Sequence, residues 1–156
     1  MQDVEPALFR TVIGHFATGV TVVTAPGPVG MTANAVASLS LDPLLMLVCF
    51  DNDARTLQEV RATGRFGVNV LASGQEDLAR RFAGKEEGKF DDVPYALHDG
   101  IPVLDGALAW VGCRLEQLVP GGDHRIGIGA VTAAEAAEGD PLVWFRGRYG
   151  SFTELG

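Results

Sequence analysis

Between Gly30 and Pro43 the chain reads Gly-Met-Thr-Ala-Asn-Ala-Val-Ala-Ser-Leu-Ser-Leu-Asp-Pro, an extended run of small and hydroxyl-bearing residues. Thr32, Ala33, Asn34, Ala35, Ser38 and Ser40, with Leu39 between the serines, leave little side-chain bulk over the backbone. The apolar segment Leu44–Phe50 follows at once. A strand built only for a core would carry larger side chains. Small residues with alternating donors suit a backbone that lies close against a flat polar ligand. After that segment, Arg55-Thr56 opens a helical pattern. Helix-start amides beside an arginine and a threonine form an anion site. Arg80, Arg81, Lys85 and Lys89 are further candidate phosphate partners, and the two arginines read equally well as a solvated helix face. His124 stands between Asp123 and Arg125, after Gly121-Gly122. A lone histidine in a turn is usually a surface residue. In this setting it could also donate to a bound amide or steady a charge during transfer. Tyr149, after Arg146-Gly-Arg148, is the aromatic best suited to touch a planar ligand; Trp144, Phe145 and Phe152 read as core or subunit interface.

Other chemistries fit poorly. Gly127-Ile-Gly129-Ala-Val-Thr132 approaches a dinucleotide fingerprint, but it lacks the third glycine and sits in an alternating strand pattern. The chain has neither a Walker A motif nor a Gly-x-Ser-x-Gly elbow. Cys49 and Cys113 lie in apolar strand patterns and read as small hydrophobes. No cysteine or histidine pair has metal-ligand spacing, so no metal is expected. His15 and His98 read as structural.

These residues need a scaffold, and 156 residues with 47% apolar content suit one domain, expected over residues 1–156. The net charge of −8 repels phosphate backbones, so nucleic acid is not an expected partner. No apolar run reaches the ~20 residues of a membrane span. The start of the chain lacks the pattern of a signal peptide, and a cytoplasmic location is the default expectation.

Residues Glu5 to Ala17 read as a helix, with Phe9, Ile13 and Phe16 on one stripe. Val20–Thr24 is β-branched throughout and predicts a strand; a turn over Pro26–Gly30 follows. Strands are expected at Met31–Ser38, Leu44–Phe50 and Phe66–Leu71, and a short helix over Asp53–Thr63 with Leu57 and Val60 inward. Ser73 and Glu76 have capping-box spacing ahead of a helix carrying Leu78 and Phe82, and Gly84–Asp92 reads as a mobile loop. Two alternating strands follow around Val111–Glu116 and Ile126–Val131, the second with Gly127 and Gly129 on one face, open to a backbone or ligand. Pro141–Phe145 is the last strand. The order lacks regular βαβ alternation, so the expected fold is mainly β with flanking helices, a closed antiparallel barrel.

Five segments together resemble the short-chain flavin reductase family: Thr18–Thr24, Thr32–Pro43, Phe66–Leu71, Gly122–Val131 and Pro141–Gly147. The resemblance runs from about Phe9 to Phe152. It implies an FMN-binding split β-barrel of Greek-key type, homodimeric, with flavin near the subunit interface. It implies NADH- or NADPH-dependent reduction of FMN or FAD, with reduced flavin passing to a separate monooxygenase. By position, Thr32–Ala35 and Ser38–Ser40 match the stretch lining the flavin ring and ribityl chain. Phe50 to Thr56 match the turn that reaches the flavin phosphate, with Phe50, Asp51, Asp53, Ala54, Arg55 and Thr56 as its candidate contacts. Phe82 and the Gly84–Phe90 loop match a region covering the far end of the flavin. His124 matches the histidine associated with the nicotinamide substrate. The chain departs from relatives at Leu44, where many have a second proline, and at Ala54, where many have serine. Two other readings stay open: a protein with tightly bound FMN serving as electron carrier or oxidase, and a non-catalytic module binding flavin or haem.

Overall fold

The computed structural model describes residues 3–156. Its centre is a seven-stranded antiparallel sheet. In chain order the strands are β2 (Thr21–Ala25), β3 (Val29–Ala33), β4 (Val36–Leu41), β5 (Leu44–Asp51), β6 (Arg65–Val70), β9 (Ala109–Gly121) and β10 (His124–Ala136). In space they run β3-β2-β6-β9-β10-β5-β4. The two edge strands, β3 and β4, are therefore consecutive in sequence and joined only by Asn34 and Ala35. Laid flat, seven strands at ~4.8 Å spacing would hold the edges roughly 29 Å apart. Three peptide steps of 3.80 Å span at most ~11 Å, so the sheet must roll until its edges meet. The expected strand over Met31–Ser38 is thus two strands on opposite edges, broken where the chain crosses between them.

Around the sheet lie α1 (Pro6–Ile13), α2 (Arg55–Thr63) and α3 (Glu76–Ala83), a hairpin of β7 (Tyr95–His98) and β8 (Ile101–Leu104), and a three-stranded sheet of β1 (Thr18–Gly19), β11 (Leu142–Phe145) and β12 (Arg148–Ser151). Every residue of β2 is buried because the strand is covered on both faces. Val23 and Ala25 join Phe50, Phe66, Leu57 and Val60 in one core cluster; Val20 and Val22 join Leu71, Phe82, Leu104 and Leu142 in another. That double burial accounts for the continuous β-branched run.

Several expectations change. The first helix stops at Ile13, capped by Gly14, and none of its residues is buried. Ser73 does not cap α3; Gln75 holds the cap position, and the Glu76 carboxylate instead accepts from the Gly74 amide. His98 ends β7, its ring edge-on to Trp110 at 5.0 Å. The glycine face of β10 meets core rings and not open space. A Cβ on Gly127 would lie 2.7 Å from Phe50, and one on Gly129 would lie 2.6 Å from Phe66.

Candidate functional site

The crossover from β3 to β4 reaches the same end of the sheet as the end of β5 and the β9–β10 turn. The Ala35 carbonyl accepts from the Cys49 amide at 2.9 Å, which holds the crossover against β5. One strand further in, His124 pairs in register with Asp51. The Asn52 amide donates to the Asp123 carbonyl at 3.1 Å, and its side chain donates to the Gly122 carbonyl at 3.3 Å. Asn34, Ala35, Asp51 and His124, which are far apart in sequence, therefore share one rim.

The turn after β5 closes on itself before α2 begins. Asp51 accepts from the Asp53 amide through its carboxylate at 2.9 Å and from the Ala54 amide through its carbonyl at 3.0 Å. Ala54 takes the N-cap position with no side-chain cap. The amides of Arg55 and Thr56 donate to no protein acceptor among the described residues. Two free donors at the positive end of a helix are what an anion requires. The Arg55 side chain is exposed beside them, and Thr56 is buried.

Asn34, Ala35, Ser38 and Leu39 are exposed along the rim and the β4 edge, and Ser40 is partly buried. The β4–β5 register shifts between Ser38 and Ser40, a bulge that places Leu39 outside the pairing. Ser40 pairs with Leu45, six residues before Asp51, so the β4 edge runs about 20 Å from the Asp51 end of β5 at 3.4 Å per residue. The shape is an elongated shelf of small side chains with anion donors at one end. Thr32 and Ala33 are partly buried. The Thr32 hydroxyl donates to the Ala79 carbonyl at 2.6 Å and so fastens α3 to β3.

The His124 ring is partly exposed, with Nδ1 2.7 Å from the Asp123 carboxylate. That hydrogen bond holds the Asp123 carboxyl below its ordinary range. With Nδ1 engaged, Nε2 is the nitrogen left for a ligand.

Other expected residues lie elsewhere. The Phe50 ring is fully buried, edge-on to Phe66 at 6.0 Å, so only its backbone borders the rim. Phe82 is likewise core, with Phe90 packed edge-on at 4.9 Å. The Gly84–Asp92 segment is tied to α3: Arg81 donates to the Asp91 carbonyl at 2.5 Å. Lys89 donates to the Phe82 and Gly30 carbonyls at 3.2 and 3.3 Å, and burial lowers its pKa. Tyr149 sits on β12, its ring 4.7 Å from Trp144 and 5.1 Å from the Arg80 guanidinium. Asn52, which joins the two turns, lies within the Phe50–Thr56 stretch but is not among its candidate contacts; an asparagine after Asp51 carries no distinguishing local signal.

A model of the flavin reductase like domain matches residues 13–153. The reductase component of a 4-nitrophenol 4-monooxygenase/4-nitrocatechol 2-monooxygenase from Rhodococcus opacus is 41% identical over 155 residues, covering 97% of this chain and 84% of that protein. A protein of Rhizobium meliloti (strain 1021) named as a flavin reductase is also 41% identical, over 93% of this chain; the chain spans about half of that relative, 48%. Among solved structures, the NADH:FAD oxidoreductase SgcE6 of Streptomyces globisporus C-1027, in complex with NAD and FAD fragments, superposes with a TM-score of 0.92 at 39% identity, covering 99% of both chains.

Proposed function

The chain belongs to the flavin reductase like domain family, and on that premise we propose that it is an NAD(P)H:flavin oxidoreductase. In this reading it reduces FMN or FAD with NADH or NADPH and passes reduced flavin to a separate monooxygenase component. The observation that carries the reading is the shelf: small exposed residues along β4 that end at two unpartnered helix-start amides. A planar ring with a phosphorylated tail fits both features.

The residues divide the work by position. Asn34, Ala35, Ser38 and Ser40 let the ring lie against backbone, and the backbone amides of Ala33–Ala35 offer donors to its polar edge. The amides of Arg55 and Thr56, with the Arg55 guanidinium, hold the phosphate. His124, its Nδ1–H held by the Asp123 carboxylate, would accept at Nε2 from the carboxamide N–H of the nicotinamide. Bound flavin supplies the hydride acceptor, and the protein contributes proximity, orientation and exclusion of water. No side chain need act as an essential general base.

The resemblance also leads us to propose a homodimer on an FMN-binding split barrel. Support comes from α1 and the residues beside it. Leu8, Phe9, Val12, Ile13 and Phe16 are 51–70% exposed, a concentration of apolar surface that a monomer rarely leaves in water.

The test is NAD(P)H oxidation by desalted protein with and without FMN, FAD and riboflavin. Turnover that depends on added flavin supports the reductase. A yellow protein indifferent to added flavin supports tightly held FMN, and a colourless, inactive one supports the binding module.

A further inference from the structure

The crossover from β3 to β4 is pinned at both ends. On the β5 side the Ala35 carbonyl accepts from the Cys49 amide at 2.9 Å. On the β2 side the Ala33 carbonyl accepts from the Thr21 hydroxyl at 2.5 Å. Thr21 and Ala33 form the last register pair of β2 and β3, so this carbonyl lies where the ladder runs out. Between the pins, the amides of Asn34 and Ala35 donate to no protein acceptor among the described residues. Both residues are exposed.

Packing alone does not call for a hydroxyl at Thr21. Strand alternation puts Thr21 on the same face as Val23 and Ala25, which join Phe50 and Phe66 in the core. The residue is only 7% exposed there. Valine, of nearly the same shape, stands at the next two positions. A hydroxyl buried beside apolar side chains costs free energy unless it is bonded. The Thr21 hydroxyl spends its bond on the peptide that leads into the crossover.

The Ala33–Asn34 peptide is trans. In a trans peptide the carbonyl and the N–H that follows it point in opposite directions. A carbonyl held toward β2 therefore turns the Asn34 N–H away from β2, out to the exposed rim. The same bond polarises the peptide, which makes its N–H a stronger donor.

We propose that Thr21 is a positioning residue, whose hydroxyl acts through the Ala33–Asn34 peptide to aim the Asn34 N–H at the bound flavin. Thr21 itself stays in the core and meets no ligand. The aimed N–H faces the polar edge of the ring, where reduction adds negative charge. It therefore stabilises reduced flavin more than oxidised flavin. The proposal rests on the reductase reading for its ligand.

The test compares the wild type with Thr21→Val, which keeps the shape and removes the hydroxyl, and with Thr21→Ser, which keeps the hydroxyl and drops the methyl. The probes are FMN and FMN reduced by dithionite under anaerobic conditions. Turnover with NADH gives kcat and the KM for FMN, and titration gives the affinity for each form. Thr21→Val is expected to lower kcat about three- to tenfold and to weaken reduced-FMN binding by a similar factor. Its binding of oxidised FMN is expected to stay close to the wild type, and Thr21→Ser is expected to match the wild type in both. Wild-type kinetics and reduced-FMN binding in Thr21→Val overturn the proposal. So does an equal loss in Thr21→Val and Thr21→Ser, which assigns the effect to packing. So does an equal loss for oxidised and reduced FMN, which assigns it to general distortion of the shelf. Should Thr21→Val fail to fold, the Asn34 amide decides. In 15N-labelled wild type and Thr21→Ser its resonance is expected to shift, and its exchange with solvent to slow, when FMN binds. An Asn34 amide unmoved by bound FMN overturns the proposal. A wild type that neither binds nor turns over FMN defeats the reductase reading and this proposal together. A wild type that does both, beside an unaltered Thr21→Val, defeats this proposal alone.

Discussion

His124 rests its ring against a neighbouring carboxylate at the mouth of a turn, not in the core. That arrangement lets one nitrogen position the ring while the other faces outward. Replacing His124 with alanine is expected to lower kcat/KM about tenfold to a hundredfold through misplaced nicotinamide, while flavin affinity stays unchanged. Steady-state kinetics beside a flavin titration separates the two effects. The pairing also has a pH signature. Because the folded Asp123 carboxyl is held low, its contribution to stability is present above the unfolded carboxylate value and is lost as pH falls through the folded one. Proton titration of Asp123 by NMR is expected to move back toward the ordinary range in His124→Ala. Ala54 offers the opposite kind of test. It occupies an N-cap position at φ −66° and ψ 128°, geometry in which serine caps well. Ala54→Ser is expected to stabilise the protein by ~1 kcal/mol, read as roughly 2–4 °C in a melting curve. These residues were legible in the sequence to different degrees. The small-residue run announced itself by composition, whereas the Asp51–His124 pairing depends on strand register, which no local pattern encodes.

At the scale of elements, β6 is the strand on which the scaffold turns. Asn69 is fully buried in it, donating to the Val22 carbonyl and the Thr24 hydroxyl while accepting from the Leu104 amide at 2.9 Å. Thr24 continues the network to the Pro102 carbonyl at 2.6 Å. The β7–β8 hairpin is thereby bonded to the rolled sheet. Asn69→Ala is expected to cost ~1–3 kcal/mol, since the Leu104 amide is left buried and unpaired. Urea unfolding measures it. The sequence reading placed Asn69 on an alternating strand, and alternation alone could not reveal a buried amide with three partners. It succeeded at α2, where Leu57 and Val60 are both buried as their spacing required. It overran α1 because the apolar stripe continues to Phe16 past the glycine that ends the helix. It left the glycines of β10 open to a backbone or a ligand, whereas they make room for the Phe50 and Phe66 rings. Gly129→Ala is accordingly expected to destabilise by ~1–3 kcal/mol through overpacking, with no specific loss of flavin affinity in the folded fraction.

The whole molecule is a rolled sheet whose two edges are linked by two residues, and that link is part of the proposed site. The β content and the order of elements were legible from β-branched runs and turns. The circular strand order was not, because it depends on which distant strands pair. Among the described residues no helix is long and apolar enough to cross a membrane. One global pH effect follows from the interior. Cys113 is buried, and desolvation pushes its thiol from 9.0 to about 12. Between those values the unfolded chain releases a proton that the native state retains, so stability falls as pH rises above about 9. Thermal melts across alkaline pH, compared with Cys113→Ala, isolate that loss. The proposed activity is hydride transfer from a nicotinamide nucleotide to flavin. The most direct measurement is the absorbance of NADH or NADPH over time with desalted protein, with FMN or FAD present or omitted. Oxidation is expected to depend on added flavin and to exceed the rate with flavin alone. Oxidation no faster than that of flavin alone, from folded protein, would contradict it.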